Sequence, residues 1–396
     1  GYGGPSPVVA GTSDGGVLFL HAYGDDLLVH ATRYDALGEE IGTCPVSLSD
    51  VSISWVGDLQ QTADGAAHIV VGKLISGDSF VAVLGDNCAI ESSWTTVDPI
   101  SLTSLAVAPD GSMAVVGYES AWGTVGGKDG LFMKMNSDLE ITKTTSMGNQ
   151  QLNRVRYLPV DTPDGGGEGF IAVGQGDWGF TPCDNNEAEL PGDVPDCLGG
   201  DNASRAVISR WTVTGTPADS GFMGHEEAGE APAGTTRAYD VIPTLEGDGG
   251  YILVGSSLAA GAMDTQSIFA WMGRTDAYLS GLEWSVLKGD EILGSVFHNF
   301  IGINENPVGD GYITVGSQTF SSEFGYEDVW IAQINSSGIL LSEVVMGTGG
   351  VESSTDVAFL DTGIAIGASI TDTLSYETIA AWLVRTDATG GSCSEP

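Results

Sequence analysis

The run GDGGYILVG (247 to 255) recurs along the chain, and recurrence constrains the fold more than any other feature of this sequence. It returns as GDGYITVG (309 to 316), GEGFIAVG (167 to 174), PDGSMAVVG (109 to 117), ADGAAHIVVG (63 to 72) and LDTGIAIG (360 to 367), with a degraded copy, SDGGVLFLH, at 13 to 21. The closing positions His21, Gly72, Gly117, Gly174, Gly255, Gly316 and Gly367 are separated by 51, 45, 57, 81, 61 and 51 residues. One phosphate does not need seven cradles. The run also lacks the Lys of a P-loop, and no helix follows it to present amides to an anion.

A second piece follows each copy. EDVWIAQINSSGILLSEVVMG (327 to 347) is the cleanest, with counterparts such as DLLVHATRYDALGEEIG (26 to 42) and KDGLFMKMNSDLEITKTTSMG (128 to 148). Apolar and polar residues alternate on both sides of an Asn- or Asp-led turn, which predicts a β-hairpin. A further short apolar strand precedes each Asp-Gly turn, as in SLAVAPDG and YDVIPTLEGDGG. The unit is therefore a four-stranded meander of about 50 residues, the period of a propeller blade. Seven copies predict an all-β chain folded as a single seven-bladed β-propeller of four-stranded antiparallel blades. The expected repeats span about 5–50, 51–98, 99–149, 150–230, 231–290, 291–347 and 348–396, with a Cys-bearing loop insertion at 176–203 in the fourth.

The pattern DGGYIxVGSS, a variable loop, then DVWxxxxNSSGxxxxxxxxG resembles the secreted bacterial and archaeal β-propeller repeat proteins of the SBBP type. The resemblance covers nearly the whole chain and is strongest from about 235 to 390. It implies a seven-bladed fold and carries little about function, because such scaffolds host many activities. His21 in place of the closing Gly and the insertion in the fourth repeat depart from the pattern.

Charge narrows the partners. With 53 Asp and Glu against 13 Lys and Arg, the formal net charge is −40. Such a surface repels nucleic-acid phosphates and anionic lipid headgroups. No apolar run reaches the length of a membrane span, so neither nucleic acid nor direct membrane insertion is expected. The chain opens GYGGPSP without an initiator Met or a basic-then-apolar leader, as a mature secreted protein would. An extracellular or cell-surface location is the expectation.

The five cysteines form no CxxC. Cys183 and Cys197 bracket an acidic, Pro-containing loop and are expected to form a local disulfide. Cys44, Cys88 and Cys393 leave one cysteine over, and sequence does not decide which.

Chemistry is sparse. Neither HExxH nor a GxSxG elbow occurs, and the sialidase-type S/TxDxGxTW box is absent. Aligning the innermost strands on their turns puts Ser54, Ser104, Arg156, Asp240, Asn299 and Asp356 at equivalent sites, with Pro7 in the first repeat. Equivalent sites in a propeller ring the axis, so these six are candidates to bind a small polar ligand or cation there. Asp184, Asn186, Asp193, Asp196 and Asp201 crowd hard oxygen ligands into the insertion and are candidates for Ca²⁺, the one cofactor suggested. The termini hold too little chain for an obvious outer strand of the last blade. An unpaired edge there would admit another chain, including a second copy. The favoured function is a non-enzymatic extracellular binding or structural module that meets protein or glycan through its rim loops. The alternative is a secreted glycan hydrolase or lyase working at the axial channel mouth.

Overall fold

A computed structural model describes residues 6–23, 28–48, 51–85, 88–120, 128–148, 150–159, 167–177, 204–224, 235–245, 248–258, 268–288, 297–307, 309–319, 327–347, 350–361, 363–371 and 378–387. Blade one is β1 (Val8–Gly11), β2 (Val17–Tyr23), β3 (Leu28–Tyr34) and β4 (Glu40–Val46). Blade two is β5 (Ile53–Gln61), β6 (Ala67–Leu74), β7 (Ser79–Gly85) and β8 (Ile90–Thr96); blade three is β9 (Ile100–Val107), β10 (Met113–Ser120), β11 (Lys128–Met135) and β12 (Ile141–Met147). Blade four is β13 (Gln150–Leu158), β14 (Gly169–Asp177), β15 (Ser204–Thr212) and β16 (Pro217–Met223); blade five is β17 (Thr236–Pro243), β18 (Tyr251–Leu258), β19 (Ile268–Thr275) and β20 (Leu282–Lys288). Blade six is β21 (His298–Glu305), β22 (Tyr312–Gln318), β23 (Asp328–Ile334) and β24 (Leu340–Met346), and blade seven is β25 (Val351–Leu360), β26 (Gly363–Thr371) and β27 (Thr378–Thr386). Every sheet is an antiparallel meander in chain order, four-stranded in blades one to six and three-stranded among the described residues of blade seven.

Alternation packs the blades. On β6, Val70 joins a cluster with Leu20 and Ala31 of blade one, while Ile69 and Val71 join Leu105 and Val115 of blade three. Each middle strand thus buries both faces, and side-chain period 2 sends its apolar residues to the two neighbouring blades alternately. Seven such clusters fill the seven seams. The last of them packs Val9, Val17 and Phe19 of blade one against Ala365 of blade seven.

The turns explain the recurring Asp and Asn. Asp248 accepts the Gly250 N–H at 3.0 Å and the Thr244 hydroxyl at 2.6 Å, and Gly249 takes a φ of 85° that other residues resist. In the outer hairpin, Asn335 Oδ1 accepts the N–H groups of Ser337 and Ile339 at 3.0 and 2.8 Å. Asp35, Asn136 and Asp276 repeat that pair of bonds in blades one, three and five.

The closing glycine has a different cause. Each innermost strand of blades two to seven carries a β-bulge, which displaces Gly57, Thr103, Asn153, Tyr239, Ile301 or Thr355 from the ladder. In blades two to six the glycine stands opposite that bulge. A Cβ at Gly117, Gly174, Gly255 or Gly316 would lie 1.8–1.9 Å from the carbonyl oxygen of Ser101, Gln151, Arg237 or Asn299. In blade seven the bulge sits one pair further along, so Ala368 occupies the matching cell and a Cβ at Gly367 meets nothing nearer than 3.4 Å.

Among the described residues the ring closes without a shared strand. Thr355 Oγ1 donates to Pro7 O at 2.6 Å, and Arg385 donates to Asp35 O at 2.8 Å and to Gly15 O at 3.3 Å. Cys44 of β4 and Cys88, in the β7–β8 turn, form a disulfide across the seam between blades one and two. Cys183, Cys197 and Cys393 lie outside the described residues, as do residues 178–203 of the expected insertion.

Two outcomes follow for stability. Gly255→Ala is expected to cost about 2–4 kcal/mol in denaturant unfolding, whereas Gly367→Ala stays within about 1 kcal/mol of the parent. Replacing Cys44 and Cys88 together by Ala opens a cross-link between residues 44 apart in sequence. That should lower unfolding free energy by about 2–4 kcal/mol and shrink the drop in melting temperature that reductant causes in the parent.

Candidate functional site

In blades two, three, five and seven the residue after the bulge engages the next blade. Asp58 Oδ2 accepts the Leu105 N–H at 3.1 Å and the Ser104 hydroxyl at 2.6 Å. Ser104 Oγ accepts the Val155 N–H at 3.2 Å, Asp240 Oδ2 the Ile303 N–H at 3.0 Å, and Asp356 Oδ2 the Val9 N–H at 3.0 Å. Four seams are latched in this way. Arg154 and Gly302 occupy the corresponding positions of blades four and six, and Val8 that of blade one.

Two arginines from blade four cross the ring. Arg154 Nη1 lies 3.1 Å from Asp356 Oδ1 and 3.5 Å from Asp58 Oδ1, tying blade four to blades seven and two. Arg156, two residues on and so on the same strand face, donates through Nε to Asp240 Oδ1 at 2.7 Å, through Nη2 to Asp240 Oδ2, and to Ile303 O at 3.0 Å. Such two-point pairing holds the guanidinium plane fixed. Asp58, Asp240 and Asp356 are all at least 96% buried, so their charges depend on these partners.

Three carboxylates face two guanidinium groups, leaving one negative charge in excess. Burial pushes the Asp356 carboxyl up to about 6, with Arg154 opposing that rise and Asp58 adding to it. Burial works against the charge on Arg154, but Asp58, Asp356 and Asp240 outweigh it and raise its pKa.

Of the six residues expected around the axis, Ser104, Asp240 and Asp356 hold the ring position and Arg156 reaches into it. Ser54 and Asn299 do not. Ser54 Oγ donates to the Lys73 and Leu74 carbonyls at 3.0 and 3.1 Å, while Asn299 Oδ1 accepts the Ser317 N–H of its own blade at 3.0 Å. Pro7 lies one residue ahead of the ring position in blade one. Counting from turns misplaced these residues because the turns differ in length and the bulge adds a residue. Asp58 and Arg154, which the count missed, share a local signal with the others: the ring residue directly precedes the aliphatic Leu59, Leu105, Val155, Val241, Ile303 or Val357.

Away from the axis, a groove of about 610 Å³ runs between blades two and three, floored by Ile69, Val83 and Met113 and edged by Asp64, Glu91 and Asp110. A smaller cavity of about 290 Å³ adjoins the Cys44–Cys88 disulfide. His21 Nε2 lies 3.1 Å from Thr32 Oγ1, and His68 and His298 are buried within blades two and six. No three His, Cys, Asp or Glu side chains converge as a metal cage among the described residues. Asp184, Asn186, Asp193, Asp196 and Asp201 lie outside those residues.

No known protein-family model matches the chain, and no curated protein matches it. Solved propellers resemble it in fold. The Pan2 WD40 domain of Neurospora crassa aligns over 92% of this chain and 86% of its own with a TM-score of 0.51 and 10% identity. The Dos1 propeller aligns over 99% and 95% with a TM-score of 0.50 and 10% identity. Raptor of Chaetomium thermophilum gives a TM-score of 0.52 at 9% identity over 92% of this chain, which spans 27% of that larger protein. At these identities the likeness is one of architecture, and that architecture is the β-propeller.

The axial charges carry a pH dependence. The folded-state pKa of Asp356 lies above the ordinary carboxylate value, so its contribution to stability is complete below about pH 4 and is lost as pH rises through about 6. Unfolding midpoints should therefore fall between about pH 4 and 6, and Asp356→Asn should remove part of that slope. Arg154→Met, which strands Asp58 and Asp356 without their cation, should cost about 3–5 kcal/mol at pH 7.

Proposed function

We propose that this protein is an extracellular, non-enzymatic propeller that serves as a binding or structural module, with protein partners engaged at its rims. The observation that carries this reading is the use of the axial polar groups. Asp58, Asp240 and Asp356 are directed at arginines and backbone N–H groups of neighbouring blades, so the residues a hydrolase would present at the channel mouth here hold the ring together. The rim offers shape instead, in the acid-edged groove between blades two and three.

Location follows from chemistry. A disulfide between blades belongs in an oxidising compartment, and a net charge of −40 suits a protein that must stay dispersed in salt. Kinship with the secreted SBBP-type propeller repeats, proposed on the DGGYIxVG and DVW motifs, agrees with that setting. Glycan at the rim and self-association through β27 remain part of the proposal.

The native protein, recovered from its source and mapped without reductant, should be found in the medium or surface fraction with Cys44 joined to Cys88. Cross-linking of that fraction should join acidic rim residues to one defined protein partner. Release of reducing ends from any polysaccharide, abolished by Asp240→Asn, would overturn the reading in favour of a glycan enzyme. Recovery with both thiols free would overturn the extracellular assignment.

A further inference from the structure

The groove between blades two and three lies where blade two departs from a pattern that the other blades keep. Near the end of the third strand of each blade, one side chain faces the following blade. It is Arg33, Lys134, Arg210, Arg274 and Arg385 in blades one, three, four, five and seven, Gln333 in blade six, and Val83 in blade two. Two observations fix the equivalence. Val83 stands two residues before Gly85, whose N–H donates to Ala89 O at 3.0 Å, as Lys134 stands two before Asn136, whose N–H donates to Glu140 O at 3.0 Å. Ile69, paired across from Val83, packs against blade three, as Ala114, paired across from Lys134, packs against blade four.

The cations at this position serve an acid in the turn between the first two strands. Arg33 donates to Asp14 Oδ2 at 2.9 Å, Arg274 pairs with Asp248, and Lys134 donates to Ser112, whose hydroxyl in turn donates to Asp110 at 2.6 Å. Blade two keeps the acid, Asp64, without the cation. Asp64 Oδ1 accepts the Thr62 hydroxyl at 2.7 Å and the Ala66 N–H at 3.1 Å. The Thr62 bond above all holds its carboxyl below the ordinary range, so it is ionised at neutral pH. Among the described residues no Lys or Arg forms an ion pair with Asp64 or with Glu91.

The missing side chain leaves room. Where the other seams hold a long polar side chain, the short Val83 forms part of the floor of the 610 Å³ groove, with Asp64, Glu91 and Asp110 at its edges and no Lys or Arg among its lining residues. An Arg or Lys from outside suits both parts of that surface. Its aliphatic stem can lie on Val83 and Ile69 while its charged head meets the acids.

We infer that this groove binds a short segment of a partner polypeptide through an Arg or Lys flanked by aliphatic residues, the cation set against Asp64 and its stem on Val83. The partner thus supplies what the other blades supply from within. This rests on the reading that protein partners meet the rims, and it names the chemistry of the contact.

Fluorescence anisotropy of the full chain with a labelled Gly-Leu-Arg-Leu-Gly peptide, in salt of about 0.15 M, tests this against the same peptide with citrulline in place of Arg. Wild type should bind the Arg peptide about tenfold more tightly. Val83→Arg, which restores the internal cation, should weaken that binding about tenfold, and Asp64→Asn about threefold. Asp64 is exposed, so Asp64→Asn keeps the test open should Val83→Arg fail to fold. Tyr278→Arg makes the same change of charge on a side chain 82% exposed in blade five and should leave affinity within about twofold of wild type. Equal affinity for the two peptides, or equal weakening by Val83→Arg and Tyr278→Arg, overturns the inference, because either marks general attraction to an acidic surface. Argininamide binding as tightly as the peptide overturns it in favour of a small amine. Loss of peptide binding alongside a native partner that still cross-links to other rim acids rejects this groove and leaves the rim reading standing. Peptide binding with no cross-linked native partner does the reverse.

Discussion

The geometry of blades two to six depends on one steric fact: the carbonyl oxygen ahead of the bulge on each innermost strand occupies the space a neighbouring Cβ would need. Glycine at 72, 117, 174, 255 and 316 lets the two backbones approach. The bulge then advances the innermost strand by one residue, and in blades two, three and five the residue after it engages the next blade. The glycine that ends each repeat motif and the polar ring at the centre are two ends of one constraint.

The ring uses its charges sparingly. Where a latch residue is Asp or Ser it satisfies a backbone N–H of the next blade, and where it is Arg154 it reaches across to two carboxylates instead. The seam between blades one and two has Val8 at the latch position and the Cys44–Cys88 bridge further out. The seam between blades six and seven has Gly302 at that position, but Ser317 and Ser354 share a hydrogen bond at 2.9 Å and Asp328 lies beside Glu352. The seam between blades four and five is joined by Asn153 Nδ2 donating to Ala238 O at 2.9 Å. Each seam that lacks the axial latch is joined by another interaction.

How much was legible in the sequence depended on how local the signal was. The strands, the Asp-led turns and the blade count follow from period 2 and from residues two to four apart, such as Asn335 with Ser337 and Ile339. Ser104, Asp240 and Asp356 could be placed because each stands directly before an aliphatic residue. Ser54 and Asn299 were misplaced because a bulge shifts register without marking the sequence. The Cys44–Cys88 pair joins two blades, and no spacing rule connects residues whose distance is set by the radius of a ring. Asp328 and Glu352 meet for the same reason. The repeat motif shows the Asp, but only assembly shows that it is wholly buried.

Because blade one is built from four consecutive strands and closes onto blade seven through Thr355, Asp356 and Arg385, no sheet among the described residues is shared between two distant stretches of chain. As far as the described residues go, each blade is a continuous length of polypeptide. A ribosome could therefore complete the blades one after another, each docking on its predecessor as it emerges, with the ring sealed by side chains once the last has arrived. Among the described residues, then, the order of blades around the axis is written in the seams and not in the strand pairing, and a cut between any two blades would leave every described sheet whole.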